Sequence, residues 1–266
     1  MRRLAARYGP CALILGGSEG IGAAFAQRLA AAGFALILVA RTREPLEVTA
    51  SALRDAHGVE IATASIDLSA ADAVERVMAA VGSRTIGLVI ANAGATHGVG
   101  RFLDQSEDKA QALLRLNAVT TVGVLHRLLA PMRARRRGGA ILLSSTSALA
   151  GSGLTAVYAA SKAFVLSLAE GLHRELAADG IDILCVVAGL TATPAMARSG
   201  ILERNVSGYA AMAADEVANQ ALAALGTRPV WYAAGDEAVA AMRAMPRTDL
   251  VERMTQGASA LFGVPI

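Results

Sequence analysis

Short, unbroken apolar runs alternate along this chain with longer segments of helical periodicity. The runs are CALILG (11–16), FALILVA (34–40), VEIATASI (59–66), IGLVIA (86–91), GAILLS (139–144), IDILCVV (181–187) and PVWYAA (229–234). Their length suits strands, and continuous apolarity implies burial on both faces of a sheet. Between them lie segments such as IGAAFAQRLAAAG and AADAVERVMAAVG, where Gly33 and Gly82 read as C-terminal stops. Strands separated by helices require right-handed crossovers, and hence a parallel sheet covered on both sides. The expectation is one α/β domain over residues 1–266, a doubly wound parallel sheet of about seven strands. In such a sheet, ligands sit at the carboxyl ends of the strands.

Composition narrows the partners. Of 266 residues, 54% are apolar and 18% charged, which supports a large core and argues against disorder. A net charge of +3 is no nucleic-acid signature. The basic run Arg133–Arg137 lacks interleaved aromatics and reads as a helix end whose cations complement the dipole. Cys11 and Cys185 lie in apolar runs and read as buried reduced thiols, and no Cys/His cluster has metal-ligand spacing. The basic-then-apolar N-terminus breaks at a glycine cluster without a small-residue cleavage site, and no apolar span reaches membrane length. These features predict a cytoplasmic protein with no metal, no membrane and no nucleic acid among its partners.

The first strand end carries GGSEGIG, with Gly16, Gly20 and Gly22 ahead of a helix. Glycines let a pyrophosphate approach the backbone while helix amides meet its charge, although tight strand-to-helix turns also use glycine without any ligand. With strand and helix both in place, Gly16, Ser18, Glu19, Gly20, Ile21 and Gly22 are the expected dinucleotide contacts. The second strand ends in VARTR, with Ala40 where an NAD-binding chain would want an acid, and Arg41 following. A guanidinium there pairs with a 2′-phosphate, so NADP(H) is expected over NAD(H).

Residues 158–162 read YAASK, which stacks Tyr158 and Lys162 one helical turn apart. Alone, such a pair could be a solvated helix face. Together with GGSEGIG, ANAG (91–94), Asn117 and Ser145 thirteen residues before Tyr158, it makes the sequence resemble the short-chain dehydrogenase/reductase family over residues 10–235, with a Rossmann-type fold.

That resemblance implies roles for particular residues. Tyr158 would be the general acid/base, Lys162 would lower its pKa and hold the ribose, and Ser145 would bind the substrate oxygen. Asn117 would perturb its helix to hold a relay water. Asp67 and Leu68 would contact the adenine, Asn92 and Gly94 the ribose side, and Gly189, Thr191 and Thr193 the nicotinamide amide. Departures are Leu15, Ala91, Ala188 and Thr191, where the family commonly has Thr, Asn, Pro and Val; none removes a catalytic group. The segment 194–213 would be a substrate lid, with Met196, Ile201, Leu202, Tyr209 and Met212 as an apolar ceiling. His97 borders the pocket or is simply a loop residue.

The expected activity is hydride transfer between NADP(H) and a ketone or secondary alcohol of moderate size and apolar character, without a charge requirement. Steroid-like, 3-oxoacyl and small aromatic carbonyls all fit. The alternatives are action on a carbon–carbon double bond, or dinucleotide sensing without turnover. The extension 236–266, helix-like but broken at Pro246, would cover the pocket or support assembly. The family's usual assembly is a homodimer or homotetramer through the helices of Asn117 and Tyr158.

Overall fold

The computed structural model describes residues 2–95, 99–202 and 210–266. Its strands, in chain order, are β1 (Cys11–Leu15), β2 (Ala35–Ala40), β3 (Ile61–Ser65), β4 (Ile86–Ala91), β5 (Gly138–Ser145), β6 (Ile181–Ala188), β7 (Thr191–Ala192), β8 (Met212–Ala213) and β9 (Val230–Tyr232). Seven of them form one parallel sheet in the order β3-β2-β1-β4-β5-β6-β9. β7 and β8 pair separately, also in parallel. The winding reverses between β1 and β4, so the connections leaving their carboxyl ends run to opposite sides, which is where such sheets form a crevice.

The helices are α1 (Arg2–Tyr8), α2 (Gly20–Ala31), α3 (Arg43–His57), α4 (Ala73–Val81), α5 (Glu107–Leu114), α6 (Thr120–Ala134), α7 (Ala156–Leu176), α8 (Pro194–Arg198), α9 (Ala214–Ala224), α10 (Asp236–Ala244) and α11 (Arg247–Phe262). Helices α2, α3 and α9 cover one face, burying Phe25, Leu29, Leu46, Leu53, Val217 and Leu222 against Ile14, Leu36 and Leu38. Helices α4, α6 and α7 cover the other, burying Val77, Val124, Leu128, Val165 and Leu166 against Leu13, Leu15, Ile37 and Val89. Successive residues of β1 therefore serve opposite cores, which explains why the strand is apolar throughout rather than alternating. Burying a side chain of this size contributes roughly 1.5–3 kcal/mol, so both layers stabilise the sheet.

Gly82 caps α4 at φ 58°, and Gly33 follows the α2 cap at φ 84°, so both stops act as expected. The basic run does more than end a helix. Arg133 and Arg136 reach Asp179, and Arg137 donates to the carbonyls of Ala6 and Arg7. Arg135 donates to the Ile86 carbonyl. These contacts tie the end of α6 to α1, to the start of β4 and to the turn before β6. Cys11 and Cys185 are buried and unpaired. Among the described residues, no helix is long and apolar enough to cross a membrane.

Candidate active site

The glycine turn is built by close approach. A Cβ on Gly22 would lie 1.8 Å from the Gly16 carbonyl oxygen, so only hydrogen fits there. Gly16 itself adopts φ 81°, and its carbonyl accepts a 2.9 Å bond from the Asn92 amide at the end of β4. That bond braces the turn across the switch point. The Glu19 carbonyl accepts from the Ala23 amide, but its side chain caps none of the first amides of α2, which leaves them available at the crevice. Gly20 packs so tightly that a Cβ would meet Thr193 at 2.9 Å.

At the carboxyl end of β5, strand and helix are stitched in both directions. The Ser144 hydroxyl donates to the Lys162 carbonyl at 2.7 Å, and Lys162 Nζ donates to the Leu143 carbonyl at 2.9 Å. Lys162 is only 5% exposed, and its Nζ stands 5.8 Å from the Tyr158 ring centroid. Gly94 lets the chain after β4 run beside the amine, since a Cβ there would come within 2.7 Å of it. Ser145 sits at the strand end, accepts from the Ser147 amide at 3.2 Å and shares a hydrogen bond with the Tyr158 phenol.

Asn117 interrupts the apolar helix as the sequence suggests. Residues Arg115–Val119 form a π-helical turn between α5 and α6, a distortion often found at functional sites. Its buried amide donates to Ser161 at 2.9 Å and to the Ala95 carbonyl at 3.4 Å, while its oxygen accepts from the Ala95 amide. Ser161 in turn donates to the Tyr158 carbonyl.

Electrostatics depart from the simplest expectation. Burial holds the Tyr158 phenol above its ordinary range, and only the Ser145 hydrogen bond acts downward. Burial also lowers the Lys162 amine to about 8, with Cys185 acting weakly the other way. Desolvation thus outweighs the attraction between amine and phenol in the chain itself.

A single crevice of about 1540 Å³ joins these parts, larger than drug-sized pockets usually are. Gly16, Ser18, Glu19, Gly20, Ile21, Arg41, Asp67, Leu68, Asn92, Gly94, Ser145, Tyr158, Lys162, Gly189, Thr191 and Thr193 all line it. Gly22 and Asn117 do not: the first permits the turn, and the second stands behind the wall. Arg41 is exposed at the β2 end, and its carbonyl is held by Ser65. Asp67 accepts from the amide and hydroxyl of Ser69. The glycine cradle, the helix amides and the crevice volume fit a dinucleotide.

Comparison with known proteins agrees with this geometry. The model of the short chain dehydrogenase family matches residues 10–201. The chain belongs to the short-chain dehydrogenase/reductase family. It is 33% identical over 190 residues to the 7beta-hydroxysteroid dehydrogenase of Collinsella aerofaciens, covering 71% of this chain and 72% of that one. A solved 7beta-hydroxysteroid dehydrogenase structure superposes with a TM-score of 0.87 at 29% identity, covering 94% and 98% of the two chains. A short-chain dehydrogenase from Sphingobium yanoikuyae in complex with NADPH gives 0.78 at 30% identity, covering 94% of each. Membership of this family makes the protein an oxidoreductase of alcohols or carbonyls that uses a nicotinamide dinucleotide.

Within this family frame, the tail is the least legible part of the crevice. Helices α10 and α11 flank Pro246, and Met242, Met254, Leu261 and Phe262 line the crevice. α11 docks on the loop between β5 and α7: Thr255 accepts from the Gly153 amide at 2.8 Å, and Ser152 donates to the Met254 carbonyl at 3.2 Å. The tail thus supplies part of the crevice wall. Methionines spaced along a helical pattern were its only signal. Of the expected ceiling, Met196, Ile201 and Met212 line the crevice and Leu202 does not. Tyr209 and His97 lie outside the described residues. Arg198 is a crevice residue that sequence patterns did not indicate.

Proposed function

We propose that this short-chain dehydrogenase/reductase transfers hydride between NADP(H) and a ketone or secondary alcohol carried on a moderately large apolar body. The observation carrying this reading is the convergence of Ser145, Tyr158 and Lys162 in the crevice that begins at the glycine turn. The dinucleotide would lie with its pyrophosphate at Gly16, Ser18, Gly20 and Ile21, its 2′-phosphate at Arg41, its adenine by Asp67 and Leu68, and its nicotinamide by Gly189, Thr191 and Thr193. When bound, it supplies the hydride.

The chain's own residues handle the proton. A phenol held above its ordinary range stays protonated at neutral pH and can donate to a carbonyl oxygen as negative charge develops there. Ser145 donates a second hydrogen bond to that oxygen, an oxyanion-type role. Lys162, lowered to about 8, still carries its charge near neutrality and stabilises the phenolate left behind. Asn117 holds the π-turn and Ser161, and through them the Tyr158 backbone.

The apolar ceiling of Met196, Ile201, Met212, Met254 and Phe262 supports a bulky substrate, as do relatives named for hydroxysteroids. One domain would carry both subsites. Exposed Leu114, Val119, Val122 and Phe164 on α5 to α7 support a homodimer through these helices. Buried unpaired cysteines suit a cytoplasmic setting.

The test is a carbonyl panel of oxosteroids, 3-oxoacyl thioesters and aromatic ketones, followed by NADPH and NADH absorbance. Wild type should consume NADPH with a bulky apolar ketone. Tyr158→Phe should lose at least about a thousandfold in kcat while binding NADPH normally. No consumption with any carbonyl, or retained turnover in Tyr158→Phe, overturns the reading.

A further inference from the structure

Glu19 is out of place in a turn built for a pyrophosphate. A carboxylate beside an open helix N-terminus competes with a bound anion for the same positive field. Glu19 does not cap α2 with its side chain. Instead both of its oxygens are taken by Arg198, at the end of the five-residue helix α8. Nη1 reaches Oε2 at 2.9 Å and Nη2 reaches Oε1 at 2.5 Å. This is the fork-on-fork geometry that a guanidinium favours. Both residues line the crevice, and Thr193, which caps α8, packs on Gly20 of the same turn.

The side chain of Arg198 is 64% exposed. So exposed a pair contributes little to folding, and stability does not account for it. The position does. The pair joins the segment over the substrate side to the turn that would hold the dinucleotide phosphates.

We propose that Arg198 is a positioning residue that neutralises Glu19, so that docking of α8 and binding of the dinucleotide support one another. With Arg198 in place, the turn presents backbone amides and no net negative charge. With Arg198 withdrawn, Glu19 faces the phosphates unpaired. Linkage then requires the reciprocal effect: bound dinucleotide favours the docked position of α8. The inference rests on the dinucleotide reading of the crevice, but not on the identity of the substrate or on Tyr158 chemistry.

The experiment measures NADPH binding to the full chain by fluorescence titration, without substrate. Arg198→Ala should weaken binding about tenfold, because it leaves like charges facing each other, and Arg198→Lys should weaken it less. Glu19→Gln should bind at least as well as wild type. In the double variant E19Q/R198A, affinity should return to within about threefold of Glu19→Gln, because the two effects are coupled. Hydrogen exchange at the Met196 and Ser199 amides should quicken in Glu19→Ala and slow when NADPH is added to wild type.

Unchanged affinity in Arg198→Ala overturns the proposal. So does a double variant as weak as Arg198→Ala, which would mean that Arg198 contacts the dinucleotide itself. Exchange at α8 indifferent to both Glu19→Ala and NADPH overturns the coupling. Wild type that binds no dinucleotide removes the cofactor reading as well; binding without dependence on Arg198 removes this inference alone.

Discussion

Ser144 and Lys162 hold each other's elements in place: the serine hydroxyl donates to the lysine carbonyl at 2.7 Å, while the lysine amine bonds the carbonyl of Leu143, one residue before the serine. The amine is fixed by the strand it leans on rather than by a carboxylate. A buried cation with a single neutral partner pays for desolvation, and this is why its pKa falls to about 8.

This gives a pH prediction. Lys162 titrates at 10.5 in the unfolded chain and about 8 in the folded one. Between those values the unfolded state binds more protons, so this group makes stability rise with pH. Below pH 8 the penalty is fully present, on the order of 3 kcal/mol. From pH 7 to pH 9, wild type should gain about 1.4 kcal/mol relative to Lys162→Met, read from urea unfolding of both proteins. Parallel pH profiles would show that the amine is not desolvated.

Arg41 should set the choice of dinucleotide. Arg41→Ala should lower kcat/KM for NADPH by about ten- to a hundredfold and leave NADH nearly unchanged, because a charge-assisted contact to the 2′-phosphate is lost. Steady-state kinetics with both dinucleotides decides it. Equal use of the two by wild type would refute the assignment.

The tail should be energetically docked. Thr255→Val preserves shape but leaves the Gly153 amide without its acceptor. A lost partner for a half-buried amide costs about 1–3 kcal/mol. Because Met254 and Phe262 line the crevice, KM for a bulky ketone should rise more than kcat falls. Unfolding curves and kinetics of the same variant measure both effects.

Two glycines should behave differently. Gly22→Ala places a methyl 1.8 Å from the Gly16 oxygen, so the turn must open and NADPH binding should fail. Gly33→Ala meets nothing within 4 Å and carries only the strain of φ 84°. Its cost should be about 1 kcal/mol, with dinucleotide affinity intact. Equilibrium binding and thermal melts separate the two cases.

Local order was largely readable from the residues. The run 86–91 is strand β4 to the residue, and 59–66 contains β3 at Ile61–Ser65. Tyr158 and Lys162 share a face because helix geometry puts residues four apart on one side. Glu19 illustrates the limit. Its place in the glycine turn suggests a dinucleotide contact and it lines the crevice, but only the fold shows its carboxylate held by a residue 179 positions away.

By itself the sequence determined the strand and helix order, the glycine turn and the spacing of Ser145, Tyr158 and Lys162, because period, chain sterics and residue size act over a few neighbours. Tertiary structure alone decided that Arg198 covers Glu19, that α11 docks on Gly153 and lines the crevice, and that burial raises the Tyr158 phenol instead of the nearby amine lowering it. Those outcomes depend on which distant groups exclude water from one another, a quantity that exists only once the layers have packed.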